Sequence, residues 1–203
     1  SLADYLSTTL RRETIEGVLA PFGFGEVMQT GYVDTVPLLI AYRDYLIRQD
    51  LFVDESFRYE DLEITDEGVN YKNHSARNII FAEGFGLAKN PFFNYLPLDG
   101  TKGELLTIKA PKLLLNEALN GSIFILPIGG NLFKVGATYN WSDKTDDPTE
   151  EVNNEWLEKL KDGINCEFEV VGHYAGVRPT ARDRKPLLGK HPKQGNMHIL
   201  NVL

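Results

Sequence analysis

Apolar residues recur along this chain with two periods, and the switches between them outline its elements. Residues 2–20 set Leu2, Leu6, Leu10, Ile15 and Leu19 among polar neighbours, a loose pattern compatible with a helix. Pro21-Phe22-Gly23-Phe24-Gly25 would end it. A clearer helix follows: Asp34 or Thr35 can cap it, Pro37 is tolerated in its first turn, and Val36, Leu39, Ile40, Leu46 and Ile47 share one face. Asp44, Arg48 and Gln49 fall on the other face, so this helix is expected to lie against something flat.

From residue 51 onward the period shortens towards strands. Leu62-Glu63-Ile64-Thr65 and Val69-Asn70-Tyr71 read as a hairpin around Asp66-Glu67-Gly68, with Gly68 expected at positive φ. Arg77-Asn78-Ile79-Ile80-Phe81-Ala82 is an apolar run ending at Gly84, as in a buried strand. Further strands are expected at 103–109, 122–128 and 132–139, with Gly129, Gly130 and Asn131 forming a tight turn. Asp147-Pro148-Thr149-Glu150-Glu151 opens a second helix, whose stripe is Val152, Trp156, Leu157 and Leu160. Strands at 167–177, near Leu187-Leu188 and at 196–202 complete the chain. Hairpins and short turns imply an α+β fold, a mostly antiparallel sheet with flanking helices. No G-x-G-x-x-G follows an early strand, so no self-contained dinucleotide-binding βαβ unit is expected.

Composition narrows the function classes. The 203 residues suffice for one domain plus part of a second. Hydrophobic residues at 42% and charged residues at 25% are ordinary for a soluble globular chain. A net charge of −8 argues against a nucleic-acid surface, which needs clustered Lys and Arg. It leaves room for a small anion held by one arginine. Cys166 stands alone, consistent with a reducing cytosol and no internal disulfide. No apolar run approaches the roughly 18 residues of a membrane helix, and no signal peptide precedes the first element. The expectation is a cytoplasmic protein with no membrane partner; oligomeric state is left open.

Three segments carry candidate chemistry. The strand Asn78–Ala82 runs into Glu83-Gly84-Phe85-Gly86, where glycine lets backbone approach a ligand; a plain core strand ending in a turn reads the same way. The strands around Ser122–Pro127 and Phe133–Tyr139 offer Phe124 and Tyr139 as pocket walls or as ordinary core. Arg178 closes an apolar strand, Tyr174-Ala175-Gly176-Val177, between Gly176 and Pro179. Shielded there, its guanidinium needs an anion, either a protein acid such as Asp183 or a carboxylate from outside, which its planar fork fits. His173 reads as structural or surface, and His74, His191 and His198 show no metal-ligand spacing.

In this order and spacing the segments resemble the D-amino-acid-oxidase-like superfamily of FAD-dependent oxidoreductases, which includes glycine oxidase, sarcosine oxidase and the oxidase half of certain tRNA-modifying enzymes. Ile79-Ile80-Phe81-Ala82-Glu83-Gly84 looks like the family's second FAD-contacting strand. Lys102-Gly103-Glu104-Leu105-Leu106, after Leu96-Pro97-Leu98, looks like its Lys/Arg-Gly strand. The hairpin with Val135-Gly136-Ala137-Thr138 matches as well. Gly-x-Arg-Pro-x-x-x-Asp-x-x-Pro-x-x-Gly, from Gly176 to Gly189, is the most specific match. The resemblance covers roughly residues 25–203. Departures stand at Glu83, where the family usually has a small residue, and at Phe124, where some amino-acid oxidases have Tyr.

The resemblance implies FAD as cofactor, with Ala82, Gly84 and Gly86 giving backbone contacts, Arg178 gripping a substrate carboxylate, and Phe124 and Tyr139 lining the pocket. It implies a small-molecule amine or amino acid as partner: hydride leaves the carbon beside the amine for the flavin, and water hydrolyses the resulting imine. The chain then reads as a substrate domain spanning 1–203, with 76–90 and 178–203 as parts of an incomplete FAD-binding domain. The Gly-rich FAD fingerprint is expected upstream and another Gly-rich loop after Leu203, so this stretch is expected to be inactive and to lack FAD by itself. Alternatives are an oxidase acting on an aminomethyl-modified tRNA base and a non-catalytic carboxylate-binding module.

Overall fold

The computed structural model describes residues 4–201. Leu2, counted in the first apolar stretch, and Val202, in the strand expected at 196–202, lie outside the described residues. The chain divides into two compact units, Ser1–Glu13 with Pro21–Arg58, and Thr14–Ala20 with Tyr59–Leu203.

Among the described residues the helix expected over 2–20 does not form. The backbone instead doubles back through the Pro21-Phe22-Gly23 turn. Arg11 and Phe24 exchange hydrogen bonds of 2.9 and 2.8 Å, Ser7 N–H reaches the Glu26 carbonyl at 2.9 Å, and Met28 N–H reaches Tyr5 at 2.8 Å. Gly23, at φ +82°, makes the return possible, since a Cβ there would press on the Arg11 carbonyl. The leucine spacing has no surface to bury against, and Leu6 and Leu10 stay exposed. Helix α1 (Thr35–Arg48) forms as expected, with the Asp34 carboxylate accepting from Val36 N–H at 3.2 Å. None of its residues is buried, so the expected packing of its apolar face is not found. Arg43 ties the following segment back, ion-paired with Asp54 at 2.5 Å and lying over the Phe52 ring.

The second unit holds the strands β1 (Leu62–Ile64), β2 (Val69–Tyr71), β3 (His74–Ala76), β4 (Ile79–Phe81), β5 (Thr101–Lys109) and β6 (Leu119–Asn120). It continues with β7 (Phe124–Gly129), β8 (Leu132–Gly136), helix α2 (Glu150–Gly163), β9 (Glu169–Arg178), β10 (Leu187–Lys190) and β11 (Met197–Asn201). They make three sheets, ordered β1-β2-β3, β10-β11-β4 and β6-β7-β8-β5-β9. Every pairing is antiparallel except β4 with β11. The fold class is α+β, as expected.

Three readings in the strand region change. Gly68 does not adopt positive φ. It is required because the β3 backbone passes so close that a Cβ would collide with the Ala76 carbonyl. The run 77–82 is only half buried: Phe81 joins a core of Leu87, Phe93, Met197 and Ile199, while Ile80 is 61% exposed on the other face. The hydrophobic run therefore served one face of a small sheet, and β8 likewise stops at Gly136, short of residue 139.

The five-stranded sheet carries the main core. Along β5, Lys102, Glu104, Leu106 and Ile108 are buried on one face, while Gly103 and Leu105 are partly open on the other. Ile125, Phe133 and Val135 extend the buried face across β7 and β8. Helix α2 packs near β5, capped by Thr149, whose hydroxyl accepts from Val152 N–H. Trp156 and Leu160 are buried, and Val152 and Leu157 are half buried. The turn between β7 and β8 is as expected, with Gly129, Gly130 and Asn131 all at positive φ. On β9 one extra residue opposes the step between Thr107 and Ile108, a bulge that adds local twist.

Gly68→Ala should destabilise the unit by about 1–3 kcal/mol through overpacking against β3. Thermal unfolding measures it, and an unchanged melting temperature would contradict the close approach.

Candidate functional site

The side of the five-stranded sheet away from its buried core is lined by small residues. Register places Gly103 opposite Gly176, and Leu105 opposite Gly136 on one side and Tyr174 on the other. Alternation puts Phe124 on this same open face, since its neighbour Ile125 is fully buried and pairs with Val135. The result is a shallow floor of backbone with aromatics standing on it.

Arg178, at the end of β9 and paired with Thr101, projects over that floor. Its guanidinium lies across Gly103 on the neighbouring strand, where any Cβ would collide with both terminal nitrogens. Beyond β5 it meets the segment that continues from β8: Nη1 donates to the Thr138 carbonyl at 3.1 Å, and Cζ sits 4.6 Å from the centre of the Tyr139 ring. Among the described residues no carboxylate pairs with it. Asp183 accepts instead from Lys185 N–H at 3.1 Å, and Asp99 lies 3.6 Å from Arg182. A half-buried guanidinium held by one carbonyl and one ring keeps N–H donors free in a planar fork, the arrangement that grips a carboxylate. Arg178 and Tyr139 are thus brought together. Phe124 shares the face but stands two strands from β5, roughly 10 Å at ordinary strand spacing.

Ala82, Gly84 and Gly86 lie where β4 ends and a 3₁₀ turn (Gly84–Lys89) begins. Gly84 has φ +59°, and no protein atom lies within 4 Å of where its Cβ would be. Ala82 and Gly86 are exposed. The Glu83 side chain is committed elsewhere: it accepts from the Tyr59 hydroxyl at 2.6 Å and from Asn90 Nδ2 at 2.7 Å. Burial first, and then this carboxylate, push the Tyr59 pKa up to about 12. Asn201 donates to the Gly84 carbonyl at 3.0 Å and fixes the turn from β11. This bare, braced backbone fits a flat group laid against it, and Glu83 does not obstruct it.

The covered face holds charges that sequence reasoning missed. Lys102 is fully buried and pairs with Asp143 at 2.5 Å. Glu104, also buried, accepts from Thr149 N–H at 2.8 Å and lies 2.9 Å from His173 Nε2. Burial alone would lower the Lys102 pKa, but Asp143 and Glu104 together raise it above the usual lysine value. Asp143 is held down at about 2, chiefly by Lys102 and then by Thr145. The available sign was a charge on alternate strand positions, Lys102 and Glu104, around a glycine that marks close approach. His173 sits on this face, opposite to Arg178, in accord with a structural reading.

Comparison with known proteins fits this geometry. Residues 6–202 match the DAO family, described as FAD dependent oxidoreductase, and the chain belongs to that family. Its members use FAD. A curated relative, the tRNA 5-methylaminomethyl-2-thiouridine biosynthesis bifunctional protein MnmC of Campylobacter jejuni, is 26% identical over 113 residues, 55% of this chain and 18% of that protein. Glycine oxidase from Bacillus cereus superposes with a TM-score of 0.57 at 21% identity, over 70% of this chain and 43% of that one. An Amadoriase I mutant from Aspergillus fumigatus superposes with a TM-score of 0.65 at 14% identity, over 92% of this chain and 52% of that one. These likenesses establish the fold. The chain spans under a fifth of the curated relative and less than half of the glycine oxidase. Among the described residues no helix is long and apolar enough to cross a membrane.

Gly103→Ala should expel the guanidinium from its seat. Phenylglyoxal modification of Arg178, followed by mass spectrometry, should then be faster than in the parent protein, and an equal rate would contradict the seat. Asp143, whose pKa is lowered, contributes stability that is complete above its unfolded value near 4 and lost as pH falls through about 2. The melting-temperature gap between the parent and Asp143→Asn should therefore close over that window, and a gap independent of pH would refute the pairing.

Proposed function

We propose that the whole protein oxidises the C–N bond of a carboxylated amine or amino acid with FAD, and that Arg178 grips the substrate carboxylate. The observation that carries this reading is a half-buried guanidinium with free donors and no protein carboxylate, poised over a floor of glycines on the open face of the substrate-side sheet. In this reading the five-stranded sheet belongs to the substrate domain, and the segments 76–90 and 178–203 belong to the FAD-binding domain. Ala82, Gly84 and Gly86 would hold the cofactor by backbone contact.

FAD, when bound, accepts the hydride. The chain's own residues orient and enclose. Arg178 fixes the carboxylate in two parallel hydrogen bonds, which sets the direction of the neighbouring C–H and supplies proximity. Tyr139 holds the guanidinium by a cation–π contact. Phe124 walls the pocket without a hydroxyl, so it shapes the site by contact and donates no hydrogen bond. No general base is required of the protein if the amine is neutral when the hydride leaves.

A second reading, oxidation of an aminomethyl-modified base in tRNA, is favoured by the match to the bifunctional tRNA-modifying protein. The chain's acidic balance weighs against it. Binding to tRNA would reveal itself by steep loss of affinity with salt, which a small amine would not show.

The test is turnover of amino acids against the same amines lacking the carboxylate, with FAD content measured in parallel. Arg178→Ala should lose about 2–3 kcal/mol of the preference for the carboxylated compounds, roughly 30- to 150-fold, while FAD remains bound. Arg178→Lys should recover part of it, as a point charge without the fork. A preference unchanged in Arg178→Ala would overturn the assignment.

A further inference from the structure

Beneath the arginine, on the covered side of β5, the connection from β8 to α2 closes around one ammonium. Lys102 Nζ donates to Asp143 Oδ2 at 2.5 Å, to Thr145 Oγ1 at 3.1 Å and to the Asp147 carbonyl at 2.5 Å. All three of its donors are engaged. Asp143 in turn accepts from Thr145 N–H and from the Thr145 hydroxyl, each at 2.8 Å. Asn140 Oδ1 gathers the N–H groups of Ser142 and Asp143 at 2.8 and 3.0 Å. Lys102 and Asn140 also exchange two backbone hydrogen bonds of 2.9 Å. One residue therefore fixes the loop through both its main chain and its side chain.

That loop begins with the two groups that hold the guanidinium. Thr138 gives its carbonyl to Arg178 and its hydroxyl to Glu104 N–H at 3.0 Å, and Tyr139 gives its ring. The residues flanking Lys102 on β5 complete the seat: Gly103 lies under the guanidinium, and Thr101 pairs with Arg178 across the ladder. Any shift of the 140–147 loop would leave a fully buried cation short of acceptors, a heavily penalised state. The props of Arg178 are thereby held in one place.

We propose that Lys102 is a positioning residue for Arg178: from the far side of the sheet it locks the loop whose Thr138 carbonyl and Tyr139 ring aim the guanidinium at an incoming carboxylate. This rests on the reading of Arg178 as the carboxylate grip. Lys102 touches neither substrate nor cofactor in this role. It acts by orientation, where a displacement on the order of 1 Å costs as much as 100-fold.

The test is a double-mutant cycle on the whole flavoprotein, with acetate as probe and the flavin absorbance change as readout. Lys102→Met should weaken acetate binding roughly ten- to a hundredfold when Arg178 is present and have no further effect in Arg178→Ala, with FAD content unchanged. Equal weakening in both backgrounds, or a lowered melting temperature with acetate affinity intact, would overturn the proposal. If Arg178→Ala itself leaves acetate affinity unchanged, the reading of Arg178 fails, and the role of Lys102 falls with it. Should Lys102→Met not fold, Asp143→Asn carries the same cycle: its loss must likewise vanish without Arg178, and a loss that persists refutes the coupling.

Discussion

A guanidinium taken partly out of water must have its charge answered, because desolvation of an ion costs more than neutral hydrogen bonds return. Arg178 is answered only in part, by one carbonyl and one aromatic face. What makes the position tenable is the missing side chain of Gly103, which lets the group lie across β5. The functional reading depends on that geometry. Fill the gap, and the arginine swings away; supply a protein carboxylate, and nothing remains for a ligand to satisfy.

The five-stranded sheet separates two kinds of electrostatics by the alternation of its side chains. Its covered face buries Lys102 and Glu104 with hydrogen-bond partners, a network that gives order. Its open face presents an incomplete one. Both depend on β5, where Lys102 points inward and Gly103 lies bare outward, so a single strand carries the buried charge network and the seat of Arg178 together. The small sheet of β4, β10 and β11 presents a second bare surface at Gly84, braced by Asn201 and by a Glu83 that is turned to Tyr59 and Asn90.

Much of this was legible in the chain because local chemistry and burial agree there. Gly129-Gly130-Asn131 marks its turn by residues that tolerate positive φ, Thr149 with Glu150 and Glu151 marks the start of α2, and Gly176-Val177-Arg178-Pro179 places the arginine at a strand end. Where distant packing decided, local patterns misled. Leu6 and Leu10 have helical spacing but sit in a stretch whose backbone pairs with residues 24–28. Gly68 looked like a turn residue and is instead a contact residue, because β3, built from the unremarkable His74-Ser75-Ala76, could not be seen. The apolar run at Ile79-Ile80-Phe81 suggested burial on both faces, yet Ile80 is exposed. Lys102 and Glu104 read only as part of a Lys-Gly strand, with no partner for either charge. Their partners lie up to 69 residues away, and the local pattern of charges around Gly103 does not name them.

The most direct measurement is a crystal structure of the whole flavoprotein with a simple carboxylate, such as acetate, bound. The account predicts both carboxylate oxygens within hydrogen-bond distance of the Arg178 guanidinium, above Gly103 and beside Tyr139. A guanidinium already paired with a carboxylate from elsewhere in the protein, or acetate bound away from this face, would contradict it.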